Sequence, residues 1–307
     1  MKDKENSSVK GESQSVRRLK GIGFILLAAF GFSLMTTFVK LSGDLPTFEK
    51  AFFRNFVAMV VFGIIMIKQH ISFIPEKKNV PDLFCRSFFG TLGLLCNFYA
   101  IDRLNIADAN MLNKMSPFFA VIFSIIILKE KPKLVQIIGV ITAFVGSAFI
   151  IKPTGSNIQA FPAFMGLLGG LGAGIAYTFV RKLGLKGVNG KVIIFYFSAF
   201  SCVLCLPFII WKHEFMSLNQ CLFLLLAGIS ACIGQTGITK AYMYAPAKEI
   251  SVYDYTQVFF AAILGFFIFD EIPDKFSFIG YFLIISAGVS MFLYNRRLDR
   301  KTQLSSD

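Results

Sequence analysis

Three polar residues and a proline, Asn110, Asn113, Lys114 and Pro117, interrupt an apolar stretch at i, i+3, i+4 and i+7. That spacing places them on one helical face. A second set, Ser251, Asp254 and Tyr255, falls together in a later apolar stretch, with Tyr253 and Gln257 along its edge. Lysine in one set and aspartate in the other have the chemistry to hold a solute of both charge signs. A carboxylate would face Lys114, and an amine or aromatic ring would face Asp254 and the tyrosines. Asp254 is also the candidate proton carrier, because burial penalises its charged form. Lys114 snorkelling to one interface and Asp254 to the other is the competing reading. Arg86, Gly90, Gly93 and Asn97 form a third stripe at i, i+4, i+7 and i+11, and Gly228, Cys232, Gln235 and Thr239 a fourth. Asn97 and Gln235 are the substrate-contact candidates there, while the glycines equally suit close approach of a neighbouring helix. Arg86 reads as an interfacial or gating charge. Arg54 is as consistent with a structural role as with a functional one, and Pro117 predicts a kink.

The surrounding sequence says what must position these residues. Of 307 residues 55% are hydrophobic, 37 are phenylalanine and 16% are charged, with mean hydropathy +0.65. Soluble domains carry about 25% charged residues. The charges cluster between apolar runs long enough to cross a hydrocarbon core of about 30 Å as helices. Spans are expected near 21–41, 47–67, 83–101, 107–128, 134–151, 162–180, 191–211, 219–240, 247–269 and 276–294. The runs lack the strict alternation of barrel strands, so the expected fold is an all-α integral membrane bundle of ten transmembrane helices. A charge inside such a span costs about 2.5–3.5 kcal/mol on insertion scales, which makes each a functional candidate.

The net charge of +13 does not point to nucleic acid. Most Lys and Arg lie in the two tails and in every second connection, leaving Lys40, Lys50, Arg103, Lys152, Lys212 and Lys275 in the others. The positive-inside rule then puts both termini in the cytoplasm. A multi-pass plasma-membrane protein is expected, in a bacterial inner membrane given the compact loops. Six cysteines and two histidines, His70 and His213, show no metal-ligand spacing, so neither metal nor cofactor is expected. The expected partners are a small-molecule metabolite and the lipid bilayer; a homodimer is left open.

The stretches "KEKPKLVQIIG" from Lys129 and "DEIPDKFSFIG" from Asp270 share one punctuation, with Glu130, Pro132 and Gly139 echoed by Glu271, Pro273 and Gly280. The same offset of 141 residues aligns Gly31 with Gly172, Thr37 to Lys40 with Thr178 to Arg181, Gly93 with Gly234, and Phe118 to Ala120 with Phe259 to Ala261. Each half holds an odd number of spans, so the second enters the membrane inverted. Inverted repeats are the trace of alternating-access carriers with a site at the midplane. The expected organisation is a disordered tail over 1–17, repeats over 18–152 and 160–296, and a cytoplasmic tail over 297–307. Glu130 and Glu271 read as hairpin or interface residues at helix ends.

The stretch "GTLGLLCNFYAIDRLNIADANMLNKMSPFFAVIFSIIILKEKPKLVQIIGVITAFVGSAFIIKP" and "FFRNF" at 52–56 resemble the drug/metabolite transporter superfamily, EamA-domain type. "CRSFFG" followed by "NFYAI" is similar to its subgroup of S-adenosylmethionine carriers and other organic-metabolite permeases. The second half departs from the pattern: Val258 replaces the fourth-span proline and Pro246 stands in the turn. The resemblance implies two inverted five-helix repeats around a cavity lined by the third, fourth, eighth and ninth helices. It also implies secondary transport of a small organic metabolite, with no enzymatic step. The rivals are a membrane enzyme acting on lipid headgroups and a channel. The first needs a convergent acid/base set that these residues do not supply, and the second sits poorly with inverted halves of unlike polarity.

Overall fold

The computed structural model describes residues 14–127, 134–152, 159–211, 215–244 and 251–304, all helices and short connections. In chain order the helices are α1 (Gln14–Leu41), α2 (Thr47–Lys68), α3 (Val80–Arg103), α4 (Ile106–Asn113), α5 (Ser116–Ile127), α6 (Leu134–Ile151), α7 (Ala160–Leu185), α8 (Gly190–Trp211), α9 (Leu218–Tyr244), α10 (Thr256–Phe269) and α11 (Lys275–Leu304). Two 3-10 turns, Lys77–Asn79 and Ser251–Tyr255, lead into α3 and α10. Among the described residues eight helices are long and apolar enough to cross a membrane, and Tyr253–Phe269 is a shorter apolar one. Glu130 and Pro132 lie outside the described residues, as do residues 1–13 and Pro246. Helix begins at Gln14, inside the expected tail, and α11 runs on to Leu304 past the expected end of its span. The charged turns "RRLK" and "RRLDRK" are good helix formers that carry the helices past the apolar boundary.

The side chains are distributed as a lipid solvent requires. Phe164, Val203, Ile210, Trp211, Phe267 and Phe282 are exposed, while Ser33, Thr36, Asn55, Thr91 and Asn110 are buried. An apolar exterior, around an interior that holds polar side chains among its apolar ones, differs from the polar exterior of a water-soluble protein.

The 141-residue offset reappears as geometry. A Cβ on Gly31 would lie 2.9 Å from Gly234 N and 3.1 Å from Ser230 O, so α1 and α9 cross backbone to backbone. A Cβ on Gly172 would lie 2.7 Å from Gly93 Cα and 2.8 Å from Phe89 O, so α7 and α3 cross the same way. Each of these residues lies 141 positions from its counterpart. Gly139 meets Met291 and Gly280 meets Ile150 by the same relation, packing α6 on α11. The small residues let the helices approach closely where no hydrophobic force between helices drives them together.

Contacts at the two ends of the bundle differ. At the end away from the termini, Lys40 pairs with Glu271 and donates to Leu104 O at 2.6 Å. There too Lys50 pairs with Asp102 at 2.6 Å, Lys152 pairs with Asp274, and Tyr281 Oη donates to Asp108 Oδ1 at 2.6 Å. At the termini end Asp82 holds Lys182 and Lys186 at 2.8 and 2.6 Å, tying α3 to α7.

Candidate functional site

The expected kink of the fourth span is a break. Helix α4 stops at Asn113, and α5 starts at Ser116 with Pro117 in its first turn. Proline has no N–H to extend the α4 ladder, and the N–H groups of Phe118 and Phe119 turn to Met115 O at 3.0 and 3.1 Å. Gly170 of α7 makes room for the junction, since a Cβ there would lie 2.7 Å from Leu112 O. Pro117 is exposed, so its contribution is to the backbone. At the matching place the second repeat departs from α-helix in another way, as the 3-10 turn Ser251–Tyr255 running directly into α10 at Thr256. The single regular helix expected near 247–269 is therefore corrected: Ser251, Asp254 and Tyr255 belong to a 3-10 turn, with threefold spacing.

The two breaks meet. Lys114 Nζ lies 2.6 Å from Asp254 Oδ2, with the two side chains only 11% and 19% exposed. Asp254 Oδ1 is buried without a hydrogen-bond partner among the described residues. The lysine and aspartate therefore face each other across one junction rather than snorkelling apart. Beside them, Gln257 Nε2 donates to Asn110 Oδ1 at 2.6 Å, and Asn110 Nδ2 donates to Ile106 O at 2.8 Å and to Thr36 Oγ1 at 3.3 Å. Ser33 Oγ donates to Gln257 O at 2.8 Å. Helices α1, α4 and α10 are thus joined by a buried polar layer next to the ion pair. Such a network is stable only when its members are satisfied, which Asn110 and Gln257 achieve through each other.

The remaining predicted residues are placed less uniformly. Asn113 is half-buried at the end of α4. Tyr255 lies against α11 at Gly288, where a Cβ would meet its hydroxyl at 2.5 Å. Tyr253 packs with Ile25 and Ala241 in an apolar cluster between α1 and α9. Asn97 is 6% exposed against Gly169, its Oδ1 without a partner among the described residues. Gln235 is half-buried on α9. Arg86, expected at an interface, is 6% exposed, and Arg54 is 4% exposed. Both guanidinium groups lie over the ring of Phe197. Gly93 and Gly228 serve packing, against α7 and Val57 respectively.

Tyr177 and Thr36 escaped the sequence reading. Tyr177 is 47% exposed, yet it interacts electrostatically with Asp254, Arg86 and Arg54. The repeat places Tyr177 141 residues after Thr36, but the two residue types differ and so gave no match. Glu271, read from the sequence as a hairpin or interface residue, spends one oxygen on Lys40 and accepts the Ile106 N–H at 2.8 Å with the other, capping α4. A recess of about 440 Å³, lined by Asp108, Phe149, Lys152 and Phe276, lies apart from this layer, toward the end away from the termini.

This arrangement has known relatives. The pseudopaline exporter CntI of Pseudomonas aeruginosa is 31% identical over 275 residues, covering 88% of this chain and 95% of that protein. An S-adenosylmethionine uptake transporter of Rickettsia bellii is 24% identical over 271 residues, covering 87% and 91%. A crystal structure that is 18% identical superposes with TM-score 0.63 over 93% of this chain and 99% of its own, a likeness of fold alone. The EamA-like transporter family matches twice, over residues 19–152 and 160–294. With broken helices meeting at a buried charge pair and two matches in tandem, this chain is a member of the EamA-like transporter family, a membrane transporter and not an enzyme.

Proposed function

We propose that the protein is a secondary transporter that carries a small organic zwitterion across the plasma membrane by alternating access. The observation that carries this is the Lys114–Asp254 pair at the junction of the two broken helices. Discontinuous helices from inverted repeats, meeting at mid-depth, are how such carriers present charge to a solute without exposing backbone to lipid. In this reading α4 with α5, and the Ser251–Tyr255 turn with α10, each make one crossing, giving ten helices in repeats 18–152 and 160–296. Both termini face the cytoplasm, so Lys40–Glu271 and Lys50–Asp102 close the external end in this conformer. A solute carboxylate takes Lys114 and its amine takes Asp254, separating the pair, while Asn97, Asn110, Asn113, Gln235, Tyr253, Tyr255 and Gln257 offer hydrogen bonds and ring faces around it. The solutes for which two relatives are named, pseudopaline and S-adenosylmethionine, support a small organic substrate.

The test is counterflow in liposomes loaded with amino acids and S-adenosylmethionine, each labelled in turn, with and without a pH gradient. Saturable exchange of one solute is expected. Acceleration by the gradient that Asp254→Asn removes would assign the proton to Asp254. Product formation without translocation, or flux that does not saturate, would overturn the carrier reading.

A further inference from the structure

Among the described residues the cations that are buried, or that bridge helices, fall into two groups. Lys40, Lys50, Lys114, Lys152, Lys182 and Lys186 each face a carboxylate within salt-bridge distance. Arg54 and Arg86 do not. Arg54 Nη1 donates at 2.6 Å to the side chain of its own neighbour Asn55, and the Nε atoms of both arginines are buried without an acceptor among the described residues. The two share one ring: the Phe197 centroid lies 4.3 Å from Arg86 Cζ and 5.7 Å from Arg54 Cζ. The groups that act electrostatically on them are the Tyr177 phenol on both, the Cys202 and Cys232 thiols on Arg54, and Arg54 on Arg86.

Two unneutralised guanidinium groups in one apolar compartment repel one another, and each costs a few kcal/mol to hold there. A cation–π contact with Phe197 returns about 2 kcal/mol when desolvated, which does not balance two charges. The site is nonetheless shaped for them. Gly90, one turn along α3 from Arg86, gives the guanidinium its place, because a Cβ there would collide with Arg86 Nη1. Uncompensated charge and unused donors together call for an anion, and a guanidinium fork matches a planar oxyanion with two parallel hydrogen bonds.

We propose that Arg54 and Arg86, from α2 and α3, form a binding site for a carboxylate of the transported solute, distinct from the Lys114–Asp254 junction and connected to it past Tyr177. This rests on the transporter reading and narrows the substrate class to solutes with an acidic group beyond the zwitterionic pair. The solute's acidic end would lie against the arginines and its amine against Asp254, with the Tyr177 hydroxyl between them.

The test is equilibrium binding of citrate to the purified protein in phosphatidylcholine nanodiscs, which requires no transport. Citrate is expected to bind the wild type, and both Arg86→Gln and Arg54→Gln are expected to weaken it at least tenfold. Lys182→Gln, which removes a cation already paired with Asp82, is expected to leave binding unchanged. In the absence of citrate, Arg86→Gln is expected to unfold at the wild-type temperature or above, since it removes an uncompensated charge. No binding by folded wild type, unchanged binding by both arginine variants, or an equal loss in Lys182→Gln would overturn the proposal. A lower unfolding temperature for Arg86→Gln with citrate binding retained would assign it to structure instead. Abolition of citrate binding by added phosphatidylglycerol would assign the arginines to a lipid phosphate. Failure of counterflow with arginine-dependent citrate binding intact would count against the transporter reading alone.

Discussion

Lys114 Nζ and Asp254 Oδ2 stand 2.6 Å apart, joining the break in the first repeat to the break in the second. Removing one member of a buried pair strands the other, at a cost of about 3–5 kcal/mol, whereas replacing both can be neutral. Lys114→Met and Asp254→Leu are each expected to lower stability by that order, and the double variant by much less. A double-mutant cycle on thermal unfolding in detergent measures the coupling. All three variants are expected to lose counterflow.

Glu271 ties the end away from the termini together twice over, through Lys40 and through the Ile106 N–H. Glu271→Gln keeps an acceptor for the N–H but releases Lys40. In a cysteine-free background carrying Thr36→Cys, a membrane-impermeant maleimide added on that side is expected to label the Glu271→Gln protein at least several-fold faster than its parent. Equal labelling would mean that the ion pair does not hold this end shut.

The glycine crossings supply a matched pair. Gly31→Ala and Gly172→Ala place a methyl against facing backbone at 2.9 and 2.7 Å, contacts that backbone relieves only by moving. Each is expected to cost about 1–3 kcal/mol. Gly23→Ala, on the same helix as Gly31 but with nothing within 4 Å, is expected to be neutral or slightly stabilising. Unfolding temperatures of the three variants check this, and equal effects at Gly23 and Gly31 would contradict the close crossing.

Gln257 and Asn110 satisfy each other's amides at 2.6 Å. Gln257→Leu leaves Asn110 Oδ1 buried without that donor, for about 1–3 kcal/mol. Asn110→Leu in the same chain is expected to recover part of the loss, read from the same unfolding curves.

Eight of the ten expected spans were legible because the hydrocarbon core imposes one length and one composition on an unbroken helix, which the fourth and ninth do not keep among the described residues. The repeat was legible because Gly31, Gly93 and their copies keep a single offset. The Lys114–Asp254 encounter was half legible: spacing placed each residue on a polar face, but only the fold could show that the faces meet at a double break. The break beside Asp254 gave no signal, since Val258 stands where the first repeat has Pro117 and a 3-10 turn needs no particular residue. Arg54 and Arg86 read as unrelated because they belong to successive helices and lie near the start of each, toward opposite ends of the bundle. Long side chains converging on Phe197 have no periodicity to betray them. Tyr177 was missed for a simpler reason, as one tyrosine in an apolar helix looks like any other aromatic residue.

The crossings at Gly31 with Gly234 and Gly172 with Gly93 are copies, whereas the linings are not. Thr36 answers to Tyr177, Arg54 to Phe195 and Arg86 to Ala227. Under the alternating-access reading proposed above, the duplicated part would be a pair of bearings, alike because both halves would have to turn on them. The unduplicated part is the upholstery, and it can be changed on one side without touching the axle. Cargo preference in such a molecule is free to drift by single substitutions while its mechanics stay fixed, because the atoms that turn and the atoms that grip are different atoms.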